Sequence, residues 1–207
     1  MEETFLNACD LSCVRDDQVL FSGLNFELTG GRVLLLEGRN GSGKTSLLRI
    51  LCGIRAPESG SVKWHGTDID DLGSDYHADL TYVGHLDGIK SELTVRENLR
   101  MAIALGKSNG ICEDAALERV GLRGFEDTPT HVLSAGQRRR LALSRLLVRR
   151  SPLWLLDEPF TALDKNGIAV FEKLMSEHVG RGGLAVLTSH HDVNLEGIDC
   201  QRIDLSA

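Results

Sequence analysis

The octapeptide Gly38-Arg39-Asn40-Gly41-Ser42-Gly43-Lys44-Thr45 constrains this chain more than any other stretch. It fits G-x-x-x-x-G-K-[ST]. The apolar run Val33-Leu34-Leu35-Leu36 precedes it, and Leu47, Leu48 and Leu51 follow at helical spacing. Glycines let the backbone wrap closely enough to aim N–H groups at phosphate oxygens, and a helix N-terminus adds about half a positive charge. Lys44 is then placed to bridge the β- and γ-phosphates of a nucleotide, and the Thr45 hydroxyl to hold Mg²⁺. The competing reading is a glycine-rich turn with an incidental lysine. A strand before and a helix after argue against it.

Strand-like segments recur at residues 19–28, 33–37, 61–64, 80–83, 153–156 and 184–188. The last three are apolar on consecutive positions and rich in Leu and Val, as strands buried on both faces of a parallel sheet are. Helical patterns lie between them, at 44–52, 94–105, 113–120, 137–149 and 164–179. In 137–149, Leu143, Leu146 and Leu147 share one face while Arg138, Arg145 and Arg149 share another. Thr94 followed by Glu97 has the spacing of a capping box, which starts a helix there. From about 94 to 150 the pattern is helical without strands, marking a subdomain inserted into an α/β core. With 207 residues and 42% hydrophobic content, the chain is read as one domain over 1–207. The fold class expected is α/β, of the P-loop NTPase type, with a small antiparallel β flank.

A net charge of −7 argues against a nucleic-acid binder, which normally shows a basic face. Apolar runs such as 33–36 and 153–156 fall far short of the roughly 18–20 residues of a spanning helix. Met1-Glu2-Glu3 lacks the basic start and apolar core of a secretory signal, so a cytosolic chain is expected. Cys9, Cys13, Cys52, Cys112 and Cys200 are scattered, with no Cys-x-x-Cys pair. Reduced thiols are the better reading than a disulfide framework or a zinc site.

The acidic complement to the phosphate loop is Leu153-Trp154-Leu155-Leu156-Asp157-Glu158-Pro159. A buried strand there delivers Asp157 to its carboxyl end, where open α/β sheets bind ligands. Asp157 is suited to orient Mg²⁺ through water, and Glu158 to polarise the attacking water near the γ-phosphate. Phosphoryl transfer needs mostly positioning and charge stabilisation, so one carboxylate for the metal and one for water suffice.

About twenty residues upstream stands Leu133-Ser134-Ala135-Gly136-Gln137. It resembles the signature sequence of ABC-type ATPases, with Ala135 where the commoner form has glycine. The resemblance implies that Ser134, Gly136 and Gln137, at the start of a helix, bind the γ-phosphate of ATP held by a second copy arranged head to tail. Phe160-Thr161-Ala162-Leu163-Asp164 resembles the D-loop of that family, and Thr188-Ser189-His190 its switch histidine, with His191 as the competing candidate. The likeness runs from about residue 20 to 190. It implies an ATPase with catalytic Lys44, Glu158 and His190, residues 38–45 around the phosphates, and ATP and Mg²⁺ as its cofactors.

Two positions depart from the family pattern. His85, in Tyr82-Val83-Gly84-His85, takes the place of the Q-loop glutamine, and its role is open between metal coordination or hydrogen bonding and structure. Where an adenine-stacking aromatic is usual, Cys13 or Arg15 stands. Together with Tyr76-His77, Gly88-Ile89-Lys90, Glu97-Asn98-Leu99 and Gly124-Phe125-Glu126-Asp127, these positions look like the CcmA family, the ATP-binding subunits of the haem exporter of cytochrome c maturation. That resemblance implies a peripheral subunit on the cytoplasmic face of the bacterial inner membrane, held there only through partners. Those partners are a CcmB-type membrane subunit, with CcmC and CcmD, and no nucleic acid. Two other readings stay open: an ABC transporter ATPase for another small substrate, and a non-transport ABC ATPase. Arg138-Arg139-Arg140 and Arg149-Arg150 read as a solvated helix face, and the region 110–127 as surface for a partner.

Overall fold

The computed structural model describes residues 5–189 and 197–206. In chain order its elements are β1 (Phe5–Arg15), β2 (Gln18–Thr29), β3 (Arg32–Glu37), α1 (Lys44–Leu51), β4 (Ser59–Trp64), β5 (Thr67–Asp68), α2 (Ile69–Leu72), α3 (Ser74–Asp79) and β6 (Leu80–Val83). There follow α4 (Val95–Ala104), α5 (Glu113–Arg119), a 3₁₀ turn (Thr130–Val132), α6 (Ala135–Val148), β7 (Leu153–Leu156), α7 (Lys165–Gly180), β8 (Leu184–Thr188) and β9 (Asp199–Asp204). The strands form two sheets, one of order β2-β1-β4-β5 and antiparallel, the other of order β6-β7-β8-β3-β9 and parallel. An α/β P-loop core with an antiparallel flank is what the sequence pattern anticipates.

The unbroken apolar runs of the parallel strands follow from burial on both faces. In β3, Val33 and Leu35 join Trp154, Leu156, Ala185 and Leu187 under α6 and α7. Leu34 and Leu36 join Leu153, Leu155 and Val186 under α1 and the antiparallel sheet. The phosphate loop leaves β3 at the edge where β7 and β8 also end. Between β6 and β7 the chain contributes only helices and turns, packed on the α6–α7 side.

Three strands lie outside the sequence reading, β1, β9 and the two-residue β5, which is too short to carry a pattern. β1 has lost its period-two signature because its buried residues run Leu6, Ala8, then Leu11 and Cys13. A register shift between Ala8 and Leu11, with Asp10 at φ 50°, flips the phase mid-strand. β9 is a polar edge strand, Asp199-Cys200-Gln201-Arg202-Ile203-Asp204, held by pairing with β3 and not by an apolar pattern. The hairpin between β1 and β2 turns on Asp16 and Asp17, both at positive φ (50° and 61°). Short polar side chains tolerate that conformation better than most residues.

Candidate active site

Gly43 precedes α1 with φ 104°, and a Cβ there would come within 3.1 Å of both Leu20 and Phe21. Only glycine allows the loop to pass this closely to β2. Lys44, only 6% exposed, donates from Nζ to the carbonyls of Gly38 (2.5 Å) and Arg39 (3.1 Å). Burial lowers its pKa below the usual lysine value, opposed by the carboxylates of Glu158, Asp157 and Asp204. The loop is tied across the sheet by Arg39 N–H donating to Ser206 Oγ at 2.9 Å. An open cavity of about 390 Å³ adjoins it, lined among others by Arg15, Asn40, Gly41, Lys44, Thr45 and Glu158.

The acidic strand end meets the loop directly. Thr45 Oγ1 donates to Asp157 Oδ2 at 3.0 Å, and Thr188 Oγ1 donates to Asp157 Oδ1 at 2.9 Å. Thr188 Oγ1 also accepts from the backbone N–H of Glu158 at 2.8 Å. The chain Thr45–Asp157–Thr188–Glu158 thus links three strand ends, after β3, β7 and β8. Asp157 is 2% exposed, whereas the Glu158 carboxylate reaches the cavity and accepts from Thr161 Oγ1 at 3.3 Å. Glu158 has φ 48°, left-handed for a residue with a Cβ, a strain of about 1–3 kcal/mol that persists only where surroundings over-determine it.

The surroundings that do so include a residue read from sequence as solvated. Arg139 on α6 is 3% exposed, and its guanidinium points under the acidic strand end. Nη2 donates to the carbonyls of Asp157 (2.8 Å) and Glu158 (2.7 Å), and Nε to that of Pro159 (3.3 Å). Nη1 donates to the Gly84 carbonyl (3.0 Å) and to Asp87 Oδ1 (3.1 Å). The reading of Arg138–Arg140 as a solvated face is therefore wrong at its middle residue. Arg145, one of the three arginines assigned to a shared polar face, is also largely buried. Burial pushes its pKa down to about 10, and its Nη2 donates to the Asp87 carbonyl at 2.8 Å.

The remaining described candidates fall in different parts of the fold. His85 is exposed just beyond β6 and does not line the phosphate cavity. Cys13 is buried in the core between the sheets, so of the two residues considered for the base, only Arg15 faces the cavity. His190 and His191 lie outside the described residues. Ser134 caps α6: its Oγ accepts from Gln137 N–H (3.2 Å) while Gln137 Oε1 accepts from Ser134 N–H (2.9 Å). The helix therefore starts at Ala135, two residues before the expected 137, because Gln137 closes the cap. A Cβ at Gly136 would stand 2.9 Å from the Ala162 carbonyl, so glycine lets this helix abut the 160–164 segment. Neither Ser134, Gly136 nor Gln137 lines the chain's own phosphate cavity.

A phosphate loop on a parallel sheet, an acidic strand end bonded to it and a capped Ser-Ala-Gly-Gln helix define an ATP-binding protein of the ABC class. The ABC transporter family model matches residues 21–161. Over the full length of both chains the sequence is 50% identical to the cytochrome c biogenesis ATP-binding export protein CcmA of Methylococcus capsulatus. It is 44% identical to the protein of that name from Escherichia coli strain K12, over 97% of this chain and 96% of the relative. The fold is similar to that of the ATP-binding subunit of an ABC transporter, with TM-score 0.86 and 24% identity over 98% of this chain and 86% of the other. It is also similar to a dimeric ATP-binding cassette in a post-hydrolysis state bound to ADP and Pi, with TM-score 0.80 and 22% identity over 97% and 94%. The chain belongs to the CcmA family of ABC transporter ATP-binding proteins, and as such it is an ATPase whose nucleotide is ATP.

Proposed function

We propose that this chain, as a single domain over 1–207 with its helical part at about 94–150, hydrolyses ATP at sites shared by two head-to-tail copies. The work drives a membrane complex of c-type cytochrome biogenesis. The observation that carries the reading is the hydrogen-bonded chain Thr45–Asp157–Thr188–Glu158, which holds a phosphate loop and two carboxylates in one frame. In it, Lys44 and the backbone N–H groups of Gly38, Arg39, Asn40, Gly41, Ser42 and Gly43 receive the phosphates. Glu158 orients and polarises the attacking water, and His190 contacts the γ-phosphate. The donor set suits Mg²⁺, since the Thr45 hydroxyl and the Asp157 carboxylate are hard oxygens. Bound between them, the ion would neutralise charge on the β- and γ-phosphates. His85, in the place of the Q-loop glutamine, lies outside the phosphate cavity, and its role stays open between contact with the ion or its shell and a structural one.

Ser134, Gly136 and Gln137 serve the partner copy's nucleotide, which is why they stand apart from the cavity of their own chain. The 85–90 segment is the contact for a CcmB-type subunit, with CcmC and CcmD alongside. Leu86, 85% exposed, and a small groove formed by Gly88, Ile89, Leu99, Met101 and Leu105 support that placement. No helix among the described residues is long and apolar enough to cross a membrane. Attachment at the cytoplasmic face of the inner membrane then comes through those partners, and hydrolysis releases haem-loaded chaperone to the apocytochrome.

Glu158→Gln tests the reading. ATP affinity should stay within about threefold while turnover falls by about 10²–10⁴-fold, the range of a lost general base. Retained turnover would remove Glu158 from its role. Affinity purification from membranes should bring down a CcmB-type subunit; recovery of an unrelated permease would reassign the complex.

A further inference from the structure

We propose that Arg139 is a positioning residue for hydrolysis: its buried guanidinium holds the strained backbone that aims the Glu158 carboxylate. The inference rests on the assignment of Glu158 as the residue that polarises water. A guanidinium carries five N–H groups in a fixed plane, and here every one has an acceptor. Three are the consecutive carbonyls of Asp157, Glu158 and Pro159, the fourth is the Gly84 carbonyl and the fifth the Asp87 carboxylate. The three consecutive carbonyls flank the left-handed φ of Glu158, so the arginine grips the chain where it is least at ease. A planar fork can hold three carbonyls in one orientation. A lysine ammonium, with its donors on a single atom, cannot.

The other two acceptors give the grip a second end. Gly84 and Asp87 bracket exposed His85 and Leu86, and Arg145, six residues further along the same helix, donates to the Asp87 carbonyl. The inner edge of the 84–87 segment and the backbone under Glu158 are therefore fastened to one side chain. A shift of that segment pulls on Arg139 and through it on the orientation of the carboxylate.

The test uses the full chain in three variants: Arg139→Lys, Arg139→Gln and Asp87→Asn. Steady-state hydrolysis should fall by about 10–100-fold in the arginine variants, the scale of a group displaced by about 1 Å. In Asp87→Asn, which leaves the carbonyl grip in place, it should fall by only about threefold. ATP affinity should stay within about threefold in all three, so the loss sits in kcat and not in KM. Single-turnover hydrolysis followed over hours supplies the cycle: in a Glu158→Gln background, Arg139→Lys should cost less than about twofold. A full additive loss there, or kcat and ATP affinity falling together, overturns the proposal and leaves Arg139 a residue of folding or nucleotide binding. If the arginine variants do not fold, Asp87→Asn and its cycle with Glu158→Gln decide by the same criteria. Unimpaired turnover in Glu158→Gln alone would instead strike the prior assignment of Glu158.

Discussion

The two halves that the proposed site needs are built in opposite ways. In the phosphate half, Lys44, Asp157 and Thr188 are buried; Lys44 is bonded to the carbonyls of its own loop and Asp157 to Thr45 and Thr188, so their geometry is set before any ligand arrives. In the Ser134–Gln137 half Ser134 is exposed and Gln137 half-buried, and each side chain accepts from the other's backbone N–H, in a cap that closes within four residues. Buried polar groups are costly to misplace, whereas an exposed cap can exchange partners at little cost. One half is a finished receptor; the other is a surface whose N–H groups and hydroxyl have work to do only when a second chain brings phosphate to it.

Substitutions should separate the halves by the size and kind of their effect. The largest expected is for Lys44→Ala, which removes the one buried cation of the loop and should weaken ATP binding at least about 100-fold in a titration of the isolated chain. The same lysine has a pH signature. Its folded pKa lies below 10.5 while the unfolded value does not, so in the window between them the unfolded chain holds more protons. Stability of the nucleotide-free protein should therefore rise with pH through that window, and the rise should disappear in Lys44→Ala melts. Thr188→Val comes next. It deprives the buried Asp157 carboxylate and the Glu158 N–H of their shared partner, and should cost about 2 kcal/mol in urea denaturation, with slower hydrolysis. Ser134→Ala should be mildest, at about 1 kcal/mol for a lost cap. ATP binding to a single chain should be unchanged and dimer turnover reduced about tenfold. Weakened binding by the single chain would collapse the distinction between the halves.

Much of the phosphate half is legible in sequence because its parts are local. Gly38–Thr45 needs only a strand before it and a helix after it, and both announce themselves in runs of Leu and Val. Ser134 and Gln137, like Thr94 and Glu97, cap helices over four residues, a span that spacing can encode. Other features defeat spacing. The bulge at Asp10 hides β1 by shifting its alternation, and β9 carries no apolar pattern at all. Arg139 is the clearest case. Among three successive arginines nothing marks the middle one as buried, since arginine is exposed by default and buried only where acceptors gather. A weak cue did exist, in that Arg139 is out of phase with Arg138 and Arg145 on the helical wheel.

What the amino-acid sequence determines alone is the chemistry available and its local geometry: a loop that binds phosphate, a carboxylate pair at a strand end, a helix opened by Ser-Ala-Gly-Gln. These follow from hydrogen bonds and dihedral preferences that reach no further than a few residues. Tertiary structure decided which of them meet. Thr45 reaches Asp157 across 112 residues of chain, and Arg139 joins a helix to two segments 55 and 18 residues away, at Gly84 and Asp157. Such contacts exist only because sheet order and helix packing bring distant backbone carbonyls and side chains into one buried place, where leaving any of them unpaired would be costly.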